Sequence, residues 1–262
     1  MMGHEDPQHS DLHGKHMQGE RYDVSLQSDP AAPSSKEPVT LTIIVTERET
    51  GKRIGQFEVI HDKLVHLVVV SDDLSYFAHI HPRLDDKEMI FTIQHTFPTA
   101  GRYVMWVDAK PRGGGQFAKG FHLDLKGGDV RKPAPIVADK NFAKYVAAGS
   151  QTYQVRLMVP ESIKSGQDVE IVFKLSDSQG RSITDLEPLM AAGGHCVIIH
   201  SDVGKFFHVH PLEEVGAGWR GGPEMAIRAT FHLPACTRRG DSFSIEEMSL
   251  PPTLFWKQNE NW

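Results

Sequence analysis

Six histidines fall into two trios with one spacing. His66 is followed, after twelve residues, by His79-Ile80-His81-Pro82, and His195, after twelve residues, by His208-Val209-His210-Pro211, each position lying 129 residues after its counterpart. The residues between agree in type, HLVVVSDDLSYFAHIHP against HCVIIHSDVGKFFHVHP. Imidazole nitrogens are ligands for zinc and copper, and three on one surface leave a coordination position for a further ligand. The same rings can also work without metal, as neutral groups hydrogen-bonded to backbone or to one another at a strand end. The proline after each HxH marks such an end. Both readings require the three rings to meet.

Whether they meet is a matter of register. A four-residue loop at Asp72–Ser75 pairs Ser71 with Tyr76 and, further along the ladder, His66 with His81. The same arithmetic with Ser201–Gly204 sets His195 opposite His210. Opposed residues have β-carbons about 5 Å apart, and His79 and His208, two positions along, share that face because side chains alternate with period two. A loop of odd length would send His66 and His195 to the other face. His61 is a candidate additional ligand in the first copy; its counterpart, Met190, offers a soft thioether suited to Cu(I). His95, His122, His200 and His232 have no repeated partners and read as ordinary strand or surface residues.

The elements that must position these side chains are short strands. In the first copy they are expected at 21–27, 39–46, 54–60, 66–71, 76–81, 89–96, 102–109 and 116–125, separated by turn chemistry such as ETGK, SDDLS and PRGGG. So many strands in one domain of this length predict an all-β fold, two tandem immunoglobulin-like antiparallel β-sandwiches. The boundaries read as a His/Met-rich disordered tail at 1–20, a first sandwich at 21–126, a linker at 127–150 with one short helix over NFAKYVAA, and a second, incomplete sandwich at 151–234.

Residues 235–262 break the repeat. They lack strand alternation where the first copy has its last two strands. A permitted back-translation from Ala235 onward, read after dropping two bases, gives LYKAWGQFQYRGDEFTTDFVLEAK and a stop codon, which restores a strand, an Arg-Gly turn and a final strand. We read 235–262 as a frameshifted tail, and resequencing around the codon for Pro234 tests this. A sandwich without those strands is expected to expose sheet edges.

Composition excludes several classes. The formal net charge of −6 gives no electrostatic case for nucleic acid or an anionic membrane, and the apolar runs are far too short to cross a bilayer. The N-terminus has no apolar signal region; His4, His9, His13 and His16 with Met1, Met2 and Met17 make a tract able to capture copper, or a solvated tail. Cys196 and Cys236 have no counterparts in the first copy, which excludes a repeated disulfide framework, and Cys196 aligns with Leu67 as a small apolar residue. Enzyme signatures are wanting. Glu88 lies seven residues past His81 whereas Glu213 and Glu214 lie three and four past His210, so the copies share no cupin-type glutamate. No HxHxDH motif, nucleophile elbow, P-loop or dinucleotide fingerprint is present, and Arg112–Gln116 (RGGGQ) reads as a turn.

ETGK, the stretch FEVIHDKLVHLVVVSDDLSYFAHIHP, HTFPTAGRYVMWVD and the GGGQ turn together resemble the YtkA-like (FixH-like) bacterial β-sandwich domains, closely over 22–126 and more loosely over 153–233. The resemblance implies a periplasmic or otherwise extracytoplasmic protein, with other envelope proteins as partners. The expectation is a non-enzymatic binder of copper or zinc, copper favoured, through His66, His79 and His81 and through His195, His208 and His210. The alternative is a metal-free interaction or adhesion module with structural histidines.

Overall fold

Val39, Leu41, Ile43 and Val45 alternate with outward-facing residues along one strand, and each of the four is at most 1% exposed. That period-two pattern puts one face of a sheet on a core. The computed structural model describes residues 21–60, 62–130, 141–148, 150–160, 162–164, 168–184, 196–209, 224–230 and 242–244. Through Val130 the strands are β1 (Tyr22–Asp29), β2 (Pro38–Glu47), β3 (Val65–Ser71), β4 (Phe77–Ile80), β5 (Arg83–Asp85), β6 (Ile90–Thr96), β7 (Gly101–Ala109) and β8 (Phe117–Leu125). Beyond it they are β9 (Ala143–Ala148), β10 (Gln151–Met158), β11 (Ser162–Lys164), β12 (Asp168–Asp177), β13 (Cys196–Ile199), β14 (Phe206–Val209), β15 (Glu224–Thr230) and β16 (Ser242–Ser244). The fold is all-β: the strand pairings are antiparallel, and no α-helix occurs among the described residues.

In the first copy, sheet β1-β2-β6-β5 faces sheet β4-β3-β7-β8. Leu41, Ile43 and Phe91 from one and Leu67, Val69, Tyr103 and Met105 from the other fill the core between them. The second copy repeats the plan in part. β10 begins 129 residues after β1 and sits in the sheet β15-β12-β10-β9, while the histidine hairpin forms β13-β14. Its core includes Val169, Ile171, Phe173, Ile198 and Phe207. Among the described residues this hairpin sheet has two strands where the first copy has four.

Three expectations change. Residues 54–60 form no strand. Ile54 N–H donates to Val45 O on β2 at 2.8 Å, and Glu58 N–H to Lys110 O beyond β7 at 2.8 Å. The segment crosses from one sheet to the other and pairs continuously with neither. Residues 83–85, between the strands expected at 76–81 and 89–96, instead add β5 to the edge of β6. Finally, NFAKYVAA is not a helix. β9 pairs with β10 from Gln151↔Ala148 to Arg156↔Ala143, so the open ladder of a neighbouring edge decides the state of a segment with only weak local preference.

β3 and β7 are buried on both faces. Odd-numbered residues of β3 enter the sandwich core, while Val68 and Val70, with Leu74, Val104 and Trp106, pack against Val197, Ile199, Val203 and Phe206 of the second copy. Trp106 stacks on Phe206 with ring centroids 5.2 Å apart. Gly120 makes room for this indole, since a β-carbon there would stand 3.3 Å from Trp106 Nε1. The histidine face is therefore the junction between the copies.

Candidate metal centre

Strand register assembles the site row by row. Val68 pairs with His79 and Leu67 with Ile80, so the next step sets His66 opposite His81, while on its other side His66 pairs with Asp108. His81, His66 and Asp108 form one row across three strands, and His79, Val68, Trp106 and Gly120 form the next. The loop length that this needs is present in both copies. Ser71 N–H donates to Tyr76 O at 3.1 Å, and His200 N–H to Lys205 O at 3.0 Å.

Each loop is built alike. Asp73 Oδ1 accepts from Ser75 N–H at 3.1 Å, and Asp202 Oδ1 from Gly204 N–H at 2.8 Å. Leu74 and Val203 follow these aspartates with left-handed φ of 55° and 53°. Such a conformation costs about 1–2 kcal/mol for a residue with a β-carbon. Both side chains pack in the apolar junction between the copies, and burying a Leu or Val contributes about 1.5–3 kcal/mol.

His66 is the centre of the cluster and has 0% exposure. Its Nε2–H donates to Ile60 O at 2.8 Å; a carbonyl can only accept, so the hydrogen sits on Nε2. Burial pushes the imidazole below its ordinary range, which keeps the ring neutral and leaves a lone pair on Nδ1. That nitrogen has His79 Nε2 at 2.9 Å and His81 Nε2 at 3.2 Å. Ile60 belongs to the crossover segment, so the turn between sheets sets the tautomer of the central histidine.

The fourth ring comes from the second copy. His208 Nδ1–H donates to Asp108 Oδ2 at 3.1 Å, and Gln116 donates to Asp108 Oδ1 at 2.8 Å. The His208 and Asp108 side chains are 2% and 3% exposed. With Nδ1 as the donor, the uncharged tautomer of this ring has its lone pair on Nε2. The His208 ring centroid lies 5.1 Å from those of His66 and of His79. One ligand nitrogen from each of His66, His79 and His208 can be chosen so that all lie within 4.8 Å of one another.

The nitrogens can be compared with the spacing that an ion requires. Ligands at about 2.0–2.1 Å in a tetrahedral shell stand about 3.3 Å apart. The 2.9 and 3.2 Å separations around His66 Nδ1 would open by a few tenths of an ångström, whereas the set of His66, His79 and His208, whose nitrogens span up to 4.8 Å, would have to close. Hydrogen bonds from the far nitrogens of two rings, to a carbonyl and to a carboxylate, are the outer-shell contacts that orient metal-binding imidazoles.

Four of the six expected histidines thus converge at one place between the copies: His66, His79, His81 and His208. His195 and His210 lie outside the described residues, as do His61, Met190 and the His/Met-rich tract at 1–20. Asp108 and Gln116 were not among the expected site residues. A charge at the end of the apolar run YVMWVDA, on the face that His66 occupies, is the signal that points to Asp108. Cys196 packs in the second core, and burial pushes its thiol up to about 12, in keeping with the apolar role expected of it. Arg112–Gly114 form the expected turn, and Gly114 lies where a β-carbon would collide with the Tyr22 hydroxyl.

The family described as "Domain of unknown function (DUF8832)" matches residues 15–127 and 147–238. The chain belongs to that family. The two matched stretches enclose the two sandwich copies of this DUF8832 protein. No curated protein and no solved structure matches it.

Proposed function

We propose that this DUF8832 protein is a non-enzymatic binder of a first-row transition metal, copper before zinc, held by His66, His79 and His208 with His81 adjacent. The observation that carries the reading is the convergence of three imidazole nitrogens within 4.8 Å. The far nitrogens of His66 and His208 are already engaged by Ile60 and Asp108. An all-nitrogen donor set suits zinc and copper alike, and the affinity order of divalent ions favours copper. Burial of the rings suits holding an ion more than turning over a substrate. An extracytoplasmic setting rests on the YtkA-like resemblance, and His195 and His210 remain candidate ligands from the repeat.

Metal content and competitive titration of the purified chain, beside a His66→Ala/His79→Ala variant, test this. One tightly held ion per chain, lost in the variant, is the expected result. A variant with unchanged affinity removes these ligands from consideration. A second reading, in which the histidines only hold an interaction module together, is favoured by the 2.9 Å contact between His66 and His79, a hydrogen-bond length. Absence of micromolar copper or zinc binding by the intact chain selects it.

A further inference from the structure

The candidate ligands do not belong to one copy. His66, His79 and His81 stand on β3 and β4 and just beyond, whereas His208 stands on β14. We infer that the ion is a clasp: its binding and the docking of the second hairpin onto the first sheet are coupled, with His208 as the bridging ligand and Asp108 as the residue that positions it. This rests on the metal-binding reading above.

Among the described residues, the junction has an apolar part and a polar part. From the second copy, Val197, Ile199, Val203 and Phe206 pack on the first. The bond from His208 to Asp108 is a polar contact beside them. A short apolar contact of this kind between domains ordinarily permits relative motion. An ion with ligands from both sides binds the docked arrangement better than the parted one, so occupancy shifts the population toward docking. Coupling is reciprocal: whatever factor in affinity His208 supplies is the factor by which the ion favours docking. Asp108 makes the bridge specific. Its carboxylate, held by Gln116, accepts from His208 Nδ1 and fixes the ring beside His66 and His79, which is the role of a carboxylate behind a metal-bound histidine.

Small-angle scattering of the full chain with one equivalent of Zn²⁺ and with a chelator, alongside Zn²⁺ affinity by competition, tests the clasp. The radius of gyration is expected to fall when Zn²⁺ is added. His208→Gln is expected to weaken Zn²⁺ binding by at least about tenfold and to abolish the compaction. Asp108→Asn, which keeps every ligand and guards against a folding defect in the first variant, is expected to lose about 10–100-fold in affinity with a matching loss of compaction. If the intact chain binds Zn²⁺ with no change in size, or His208→Gln keeps both affinity and compaction, the clasp is wrong and the ion belongs to the first copy alone. If the intact chain binds neither Zn²⁺ nor, in a parallel titration, copper, the metal reading and the clasp fail together.

Discussion

His208 and Asp108 meet across the boundary between the copies, Nδ1 to Oδ2 at 3.1 Å, with one hundred residues of chain from one to the other. Asp108 also lies opposite His66 in the ladder between β3 and β7. One buried carboxylate therefore touches the second copy's histidine and neighbours the first copy's central one. Replacing Asp108 by Leu is expected to be worse than replacing it by Asn. It leaves the Gln116 amide and the His208 N–H without an acceptor, at about 1–3 kcal/mol for each buried donor. Chemical denaturation of the two variants measures the difference, and equal stabilities would mean that water reaches the site.

The Trp106–Phe206 stack offers a measure of docking that involves no ion. Trp106→Ala is expected to cost about 3–5 kcal/mol as a buried large-to-small change. A double-mutant cycle with Phe206→Ala should give a coupling of about 0.5–1.5 kcal/mol for the ring pair. Zero coupling in denaturation experiments would show that the rings do not meet in solution.

Acid sensitivity of the first sandwich is expected to run partly through His95. Its Nε2 and the Tyr76 hydroxyl are hydrogen-bonded at 2.8 Å, and burial lowers its pKa from the ordinary 6.5. A depressed pKa means that the unfolded chain takes up the proton first. The stability from the neutral buried ring is complete above about 6.5 and is lost as pH falls below it. His95→Phe should therefore be less stable than the parent near pH 8, by about 0.5–1.5 kcal/mol for the lost bond, and the gap should close toward pH 5. Melting curves across that range check this; a gap that stays constant contradicts it.

Cys196 is expected to be chemically silent in the folded protein, because its thiol is pushed up to about 12 and the thiolate is the reactive form. In a Cys236→Ser background, a disulfide reagent at pH 8 should label nothing until denaturant is added. Rapid labelling of the native protein would place Cys196 outside the second core.

Much of this arrangement was legible in the chain. The four-residue loops and the period of two place His66, His79 and His81 on one face, and the structure has that register. The apolar runs of β3 and β7 carry the further information that both their faces are covered. Their second cover was not legible, because it depends on a contact between copies that no local pattern encodes. The same is true of Asp108, whose role appears only when His208 arrives from the other copy. Residues 54–60 mislead for a related reason. Their composition suits a strand, but the chain must change sheets there, and Ile60 ends up as the acceptor that orients His66.

Strand β9 bears on how the protein can be cut. It lies upstream of the repeat, yet it covers the outer edge of β10, and Leu157 N–H also donates to Phe142 O at 2.8 Å. A fragment begun at Gln151, where β10 begins, would strip that edge and offer a row of open amides and carbonyls to other molecules. A fragment meant to behave as a monomer has to start upstream of Phe142. The strand that closes this edge therefore has to travel with any excised second copy.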